Sequence, residues 1–462
     1  MSDKKTADFV KSKREFNKQL FSIAIPIALQ NLMLSLVGAS DALMLGRLSQ
    51  NAVAAVSLAN QISFIMSLFT GCIIGGAGTL AAQYLGKKDN ETVKILMSMS
   101  IRICALISFA FFAAAFFFPA QLMKIYTSDI DLISIGTQYL KIVSWSYLFA
   151  GLSQSYLLIM KIHGRAARSA LISTMTALID MFADAFLIYG LAGIPKLGVA
   201  GCAISTVIVE ASALAVCILE SHQKDHIHPD SKSILHHSSE LSKDMSRISV
   251  PILASGLAWG LGYSMHSMIM GHLNADAVAA AAVVSVTQEL VACLTKGLSN
   301  GASVMIGMLL GQNRLEEAKV CGAQFWKIAF LCGLFNAALL LIIGPIASMF
   351  FILTETAENY LIWMMVILAV YLFAYALNTI ITCGVFPAGG DTIYDAKSVM
   401  ISMWCFSLPL SLLGTFVFHW PVMLVYLLTM SDEIIKIPWI YPRYKKYLWV
   451  RNLTRKEDNA AV

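Results

Sequence analysis

The sequence predicts an all-α polytopic membrane protein, and three observations lead to this fold class. Hydrophobic residues make up 58% of the 462 residues, charged residues make up only 13%, and long apolar runs recur along the whole chain. Soluble domains carry roughly 25% charged residues, whereas a membrane-spanning helix needs about 20 mostly apolar residues. Only helices and closed barrels satisfy their backbone hydrogen bonds inside a bilayer. The apolar runs do not alternate strictly with polar residues, and this excludes the barrel.

Twelve apolar segments are long enough to cross a bilayer, and the last is the shortest. In chain order they are centred near residues 33, 66, 105, 144, 178, 208, 258, 292, 331, 370, 406 and 428. Pro26 lies inside the first segment and predicts a bend there, because proline removes a helical hydrogen bond. The bend is either a hinge used in the working cycle or a static kink.

The Lys and Arg residues between the segments fall almost entirely on alternate connections. The connections of the opposite set contain only Arg47, Lys124 and Lys196. Because cytoplasmic loops are enriched in Lys and Arg, we expect both termini to be cytoplasmic. An even number of spans agrees with this placement. No cleavable signal precedes the first segment, so we expect a multi-pass protein of the bacterial cytoplasmic membrane.

An internal repeat relates the two halves at an offset of 225 residues. Pro26 aligns with Pro251, the AVAA run at 52–55 with that at 277–280, and Gly86 with Gly311. Each half contains six segments and therefore returns the chain to its starting side, which predicts parallel repeats related by an axis along the membrane normal. The predicted regions are an N-terminal arm 1–17, an N-lobe 18–219, a linker 220–245, a C-lobe 246–440 and a tail 441–462.

The linker contains five of the nine histidines, His222, His226, His228, His236 and His237. A histidine-rich tract in a polar connection is typical of a solvated loop. A metal-binding or pH-sensing role is the alternative. The nine cysteines are scattered singly, which predicts neither a disulfide framework nor a metal site.

Three acids interrupt the apolar segments of the first half. Asp41 lies in the first segment, and Asp180 and Asp184 lie four residues apart in the fifth, on one face of a helix. Ionisable residues inside membrane segments are functional by default. The alternative is that each acid pairs with a neighbouring Lys or Arg or lies where a helix meets water, and for Asp180 the two interpretations are balanced. Carboxylate oxygens suit Na+, and neighbouring acids can also share a proton, so Asp41 and Asp184 are candidates to bind the coupling ion.

The second half lacks this cluster, because the repeat aligns Asp41 with His266. It has its own polar pair instead, Gln288 and Glu289, with Lys296 two helical turns further on. Glu289 belongs either to a second ion or substrate site or to a structural pair with Lys296. Asp432, Glu433 and Lys436 are interpreted as a charge pair at the membrane interface.

Several motifs resemble the multidrug and toxic compound extrusion (MATE) transporters, bacterial type. IPIALQNLMLSLVGASDALMLGRLSQNAVAAVSLA (25–59) resembles the first helix and loop of that family, and LGVAGCAISTVIVE (197–210) resembles its sixth helix. AGGDT (388–392) and RYKKYLWVRNLT (443–454) are similar to later motifs. The resemblance implies a V-shaped transporter with two six-helix lobes around a central cavity. It also implies export of cationic or amphipathic compounds in exchange for inward Na+ or H+.

The resemblance implies a cation site at Asp41 and Asp184, where Na+ is one candidate ion. Asp180 takes a position that is more often Asn, Thr206 matches a threonine of the site, and Tyr139 matches a nearby tyrosine. Two departures weaken coupling through the C-lobe. Many relatives have an acid in the seventh helix, but the seventh segment here (251–262) has none. Some relatives also have an arginine just before the AGGDT-like turn, where this chain has Phe386-Pro387.

We therefore expect an H+- or Na+-coupled antiporter that exports organic cations or amphipathic drugs by alternating access. The alternative is a flippase for lipid-linked saccharides, which would need a cation-rich cavity. A channel would carry continuous current instead of exchange. A membrane enzyme is not expected, because no catalytic motif and no GxxxxGK[ST] loop occurs. We expect no cofactor, no metal besides the coupling ion, no nucleic-acid partner, and a monomer in the bilayer.

Overall fold

The structure is a computed structural model that describes residues 2–190, 195–222, 238–348 and 354–455. All regular secondary structure in these ranges is helical. In the first half the helices are α1 (Ser2–Gly46), α2 (Gln50–Gly86), α3 (Asn90–Phe117), α4 (Pro119–Tyr126), α5 (Ile130–Met160), α6 (Ala166–Tyr189) and α7 (Val199–Ser221).

The second half contains long helices first and broken ones later. They are α8 (Ser239–Gly271), α9 (Ala275–Gly311), α10 (Leu315–Ser348), α11 (Glu355–Thr379), α12 (Phe386–Ala388), α13 (Thr392–Val399), α14 (Leu408–Leu412), α15 (Val422–Thr429) and α16 (Asp432–Lys445). π-helical segments join several of them, at Lys161–Arg165, Ile380–Val385, Met400–Ser407 and Leu413–Val417.

Ten helical stretches in the described ranges are long and apolar enough to cross a membrane. One of them, Ile130–Tyr189, is 60 residues long and contains two predicted spans. It is interrupted at Gly164, whose φ of 75° suits a residue without a side chain. The shortest predicted span, the twelfth, is divided into α15 and α16. The prediction of an all-α polytopic membrane protein is confirmed.

The chain forms two compact units. Unit 1 contains the described residues within Met1–Ala28, Ala82–Lys88 and Val250–Val462, and unit 2 those within Leu29–Ala81 and Asp89–Ser249. The units follow packing, so α1 passes from unit 1 to unit 2 after Ala28, and the end of α2 belongs to unit 1. The lobe boundaries drawn from the repeat remain a prediction.

Each unit has its own apolar core. In unit 2, Leu45, Val56, Tyr147 and Ile188 bring α1, α2, α5 and α6 together. In unit 1, α8, α9, α11 and α15 contribute residues such as Met270, Val284, Leu368 and Tyr426. Burying a large apolar side chain contributes about 1.5–3 kcal/mol relative to exposure in water. In a bilayer, close packing contributes a larger share of the stability, because lipid is itself apolar.

Close packing is most evident at two repeat-related glycines of unit 1. A Cβ atom at Gly86 would collide with the backbone carbonyl of Met308, and one at Gly311 with that of Gln83. The backbones of α2 and α9 therefore touch at both positions. Small residues permit such contact between membrane helices, which explains why both repeats have glycine here.

The segment after α16 folds back onto unit 1. Trp449 is fully buried, and the side-chain amide of Gln83 donates to the Ala388 carbonyl at 2.6 Å. The Gln83 carbonyl oxygen accepts from the Leu453 amide at 2.6 Å. Arg443 donates two hydrogen bonds of 2.9 Å to Asp391. These bonds fix the chain up to Arg455 against the ends of α2 and α12.

Candidate functional site

The three predicted acids come together in unit 2. Asp180 and Asp184 lie one turn apart on α6, and Asp41 approaches them from α1. Asp184 is fully buried, whereas Asp41 and Asp180 are partly buried. The carboxyl groups of Asp41 and Asp184 are within hydrogen-bond reach of each other. The structure thus unites residues that are more than 130 positions apart in the sequence.

Helix α7 supplies the hydrogen-bond donors of this cluster. Ser205 Oγ donates to Asp180 Oδ1 at 3.0 Å, and Cys202 Sγ lies 3.9 Å from Asp184 Oδ2. Asp41 Oδ1 and Asp184 Oδ1 are buried and accept no hydrogen bond from any described group. Two ionised carboxylates can only accept hydrogen bonds. A proton or a cation shared between them would satisfy both atoms.

The structure gives no support to the alternative that these acids are structural ion-pair partners. Within the described ranges, none of the ion pairs involves Asp41, Asp180 or Asp184. A buried carboxylate without a compensating charge is costly in a low-dielectric interior. The described part of the chain supplies no such charge to the cluster.

A cavity of about 500 Å³ lies beside the cluster, entirely within unit 2. Asp41, Asp180, Tyr139 and Thr206 all line it, so four of the five predicted site residues share this space. The fifth, Asp184, is fully buried and does not line the cavity. The remaining lining is a mixture of polar and apolar side chains that includes Asn60, Ser63, Met66, Thr70, Tyr147 and Gln154.

Tyr139 and Thr206 each make one hydrogen bond that fixes the side chain. The Tyr139 hydroxyl donates to Asn60 Oδ1 at 3.2 Å, which links α5 to α2. The Thr206 hydroxyl donates to the Cys202 carbonyl at 3.1 Å, one turn back on α7. These bonds hold both side chains at the wall of the cavity.

Glu210 also lines the cavity, although it is not among the site residues predicted from the sequence. It lies one turn beyond Thr206 on α7, and Ser153 of α5 is within its hydrogen-bond reach. Its position inside the motif 197–210 was the available signal, since it is a carboxyl group in an otherwise apolar helix. The cavity therefore has carboxyl groups from α1, α6 and α7.

The predicted second-lobe pair lies elsewhere. Gln288 and Glu289 are in α9 of unit 1 and do not line the cavity. Gln288 is buried, whereas Glu289 is exposed and accepts a hydrogen bond of 2.7 Å from Lys296 Nζ. The structure thus contains the pair with Lys296, and a second ion or substrate site at Gln288 and Glu289 stays a prediction.

Pro26 lies within the continuous helix α1, two residues before the chain passes from unit 1 to unit 2. Of the linker histidines, His222 is exposed at the end of α7. His226, His228, His236 and His237 lie outside the described residues.

Asp432, Glu433 and Lys436 form the charge pair that the sequence predicts, and its place at the membrane interface stays a prediction. All three are at most 5% exposed and lie inside unit 1, because α16 packs against α11 there.

Comparison with known proteins identifies the family. The MatE family model matches residues 26–186 and 251–410, two ranges that begin 225 residues apart, as the repeat does. The "Uncharacterized transporter YisQ" of Bacillus subtilis is 23% identical over 439 residues, which cover 94% of this chain and 95% of YisQ. The "Probable multidrug resistance protein NorM" of Thermotoga maritima is 21% identical, covering 86% of this chain and 85% of that protein.

A solved structure agrees with the sequence comparison. An aspartate-to-asparagine variant of the Vibrio cholerae MATE transporter VcmN superposes with a TM-score of 0.87 at 18% identity, covering 96% of this chain and 99% of that one. The chain belongs to the MatE family of MATE transporters. It is a multi-pass membrane protein, and the family's members are transporters of small molecules, not enzymes.

Proposed function

We propose that this protein exports organic cations or amphipathic drugs across the cytoplasmic membrane in exchange for inward H+ or Na+. Asp41 and Asp184 hold the coupling ion, and the cavity beside them holds the substrate. The observation that supports this most strongly is the pair of buried carboxyl oxygens, Asp41 Oδ1 and Asp184 Oδ1, that accept no hydrogen bond in the described chain. The names of the multidrug-resistance relatives agree with it.

The electrostatics of the cluster explain how one site can serve both ligands. Two adjacent carboxylates repel each other, and the repulsion grows in a low-dielectric interior. A proton or Na+ relieves it, and so does an organic cation that enters the cavity beside Asp41 and Asp180. Ion and substrate then compete for the same carboxyl groups, and each lowers the affinity of the site for the other. This competition produces exchange.

The cavity fits an organic substrate in size and chemistry. Its volume of about 500 Å³ lies within the range of small-molecule sites, about 300–1,000 Å³. Tyr139 and Tyr147 provide aromatic rings, which attract organic cations, and Met66 provides a deformable apolar surface. The carboxyl groups of Asp41, Asp180 and Glu210 favour positive charge.

The same lining argues against the flippase alternative. A lipid-linked pyrophosphate needs cationic side chains around it, whereas the described lining contains three acids and neither Lys nor Arg. The cycle also requires an element with two states. Pro26 is our candidate for it, because a proline bend in α1 would shift Asp41 on the same helix.

The proposal is tested by dye efflux from proteoliposomes under an imposed pH gradient and then under an imposed Na+ gradient. The gradient that drives concentrative efflux identifies the ion. We expect Asp41→Asn to reduce efflux to the level of empty vesicles while the protein still inserts and folds, because a neutral amide is cheaper to bury than a charge. Asp131→Asn is the matched control, since Asp131 is exposed in the first turn of α5.

Two outcomes would contradict the proposal. Efflux at the wild-type rate from Asp41→Asn would remove this carboxyl group from coupling. Continuous ion current without exchange would indicate a channel. If Asp41 were instead a structural ion-pair partner, its substitution would cost about 3–5 kcal/mol of stability and lower the yield.

A further inference from the structure

A second group of ionisable residues is buried in unit 1, away from the acids of unit 2. Asp432, Glu433 and Lys436 lie in the first turns of α16 and are 1%, 4% and 5% exposed. Lys436 Nζ donates to Glu433 Oε1 at 2.6 Å and lies 3.7 Å from Asp432 Oδ2. Asp395 of α13 joins them, because its charge interacts with both Lys436 and Glu433. We call these four residues the Lys436 cluster.

Five segments converge on the Lys436 cluster. Asn378 of α11 donates to Glu433 Oε2 at 2.8 Å, and Ser255 of α8 donates to Asp395 Oδ2 at 2.6 Å. Thr382, in the π-helical segment Ile380–Val385, is within hydrogen-bond reach of Asp395. π-helical turns occur frequently at functional sites. The other titratable groups whose charges reach the cluster are Tyr371, Tyr375 and Cys383.

The cluster carries more negative than positive groups. The cluster contains three carboxyl groups and one ammonium group, so full ionisation would leave two negative charges uncompensated. Uncompensated charge in a protein interior is avoided by protonation. One atom is available for this: Asp432 Oδ2 is buried and accepts no hydrogen bond from the described chain, since 3.7 Å to Lys436 exceeds hydrogen-bond length.

The ligand that fits this site is a proton and not a metal cation. Lys436 already occupies the position between Asp432 and Glu433 that a metal cation would take. A second cation there would face a like charge at short range. A proton on a carboxyl oxygen adds no volume and reduces the net charge of the cluster.

The repeat relates this arrangement to the cavity of unit 2. Asn378 lies 225 residues after Ser153, which is the repeat offset. Asn378 bonds to Glu433 on α16, and Ser153 is within hydrogen-bond reach of Glu210 on α7. In each repeat a polar residue of the fourth span therefore holds a carboxyl group of the sixth. From this correspondence, the charge balance and the unpartnered oxygen, we infer that the Lys436 cluster is a second proton-binding site.

The test is infrared spectroscopy of the purified full-length protein in lipid, titrated with pH. The C=O stretch of a protonated carboxyl group reports bound protons without any transport assay. The starting variant replaces Asp41, Asp180 and Asp184 with Asn and Glu210 with Gln, so that the acids at the cavity are silent. We expect this variant to keep a band of protonated carboxyl groups at neutral pH, where exposed carboxyl groups are ionised. The absence of this band at neutral pH would overturn the inference.

Two further substitutions in that variant assign the band by charge balance. Asp432→Asn should remove the intensity of about one protonated carboxyl group, because one negative charge is gone. Lys436→Gln should increase it by about the same amount, because a compensating positive charge is gone. Asp131→Asn should leave it unchanged. A band that neither Asp432→Asn nor Lys436→Gln alters would place the proton elsewhere and contradict the inference.

Folding behaviour gives an independent readout. A protonated Asp432 and an asparagine carry the same charge, so Asp432→Asn should fold with the wild-type yield. Misfolding of this variant would show that the ionised carboxylate is required, and would also overturn the inference. Loss of gradient-driven efflux bears only on the proposed function, because the infrared band is measured without a gradient.

Discussion

Asp41, Asp180 and Asp184 differ in their surroundings, and this difference assigns them different roles. Asp180 Oδ1 already accepts a hydrogen bond of 3.0 Å from Ser205. Asp41 and Asp184 each have an oxygen without a partner, and the two carboxyl groups face each other. A bound ion stabilises a carboxyl group most when one of its oxygens has no other hydrogen-bond partner. We therefore expect Asp41 and Asp184 to bind the coupling ion and Asp180 to tune the site electrostatically.

Asparagine substitutions should separate these roles. Asp184→Asn should reduce gradient-driven efflux to background, as Asp41→Asn does, because either change removes a titratable group. Asp180→Asn should reduce efflux by less than about tenfold, or about 1.4 kcal/mol, because the amide oxygen can still accept from Ser205. Efflux is measured in vesicles and normalised to folded protein. An equal loss in all three variants would contradict this assignment.

Glu289 should be dispensable for coupling. Its carboxylate pairs with Lys296 at an exposed position of α9 and does not line the cavity. Exposed ion pairs contribute little to stability, so Glu289→Gln should still fold. Because the site proposed for coupling lies in unit 2, we expect this variant to retain efflux driven by the same gradient as the wild-type protein. Loss of all ion-driven efflux with normal protein levels would move the coupling site to unit 1. Asp131→Asn again serves as the control.

At the scale of helices, glycine at repeat-related positions allows α2 and α9 to touch backbone to backbone. Gly311→Ala should lower the stability by roughly 1–3 kcal/mol, the cost of overpacking, because the new methyl group meets the Gln83 carbonyl. Gly271→Ala is the matched control, since nothing lies within 4 Å of the position of its Cβ atom. Thermal unfolding of the purified proteins measures both. Equal melting temperatures would contradict the proposed contact.

The helices and the charged residues within them show which features the sequence could reveal and which it could not. Apolar run length predicted the spans, because crossing a bilayer is a local requirement. The acids of α1 and α6 were recognisable, since charge inside an apolar run is itself the signal. The burial of the Lys436 cluster had no such signal, because it depends on α11 and α13 packing against α16, which the sequence alone does not place together. The π-helical segments likewise have no signal in apolar periodicity.

At the scale of the whole molecule, duplication accounts for the architecture, and divergence accounts for the chemistry. The two ranges matched by the MatE model have nearly equal lengths. Yet Asp41 aligns with His266, which is buried and lies 3.3 Å from Ser407. One repeat thus has an acid cluster beside a cavity, while the other has acids around Lys436. A duplicated scaffold allows such specialisation because each unit packs its own core.

Orientation in the membrane is the remaining property of the whole molecule that the charge distribution predicts. Lys and Arg cluster on the connections that include the linker and both termini, so we expect these to be cytoplasmic. In a variant with Cys383 and Cys405 replaced by serine, Ile234→Cys should resist a membrane-impermeant maleimide on intact cells and react after lysis. Residue 234 lies outside the described residues. Lys196→Cys, on the opposite set of connections, is the control and should react on intact cells. Labelling of Ile234→Cys from outside would overturn the twelve-span arrangement, because it would put the joint between the two repeats on the wrong side of the bilayer.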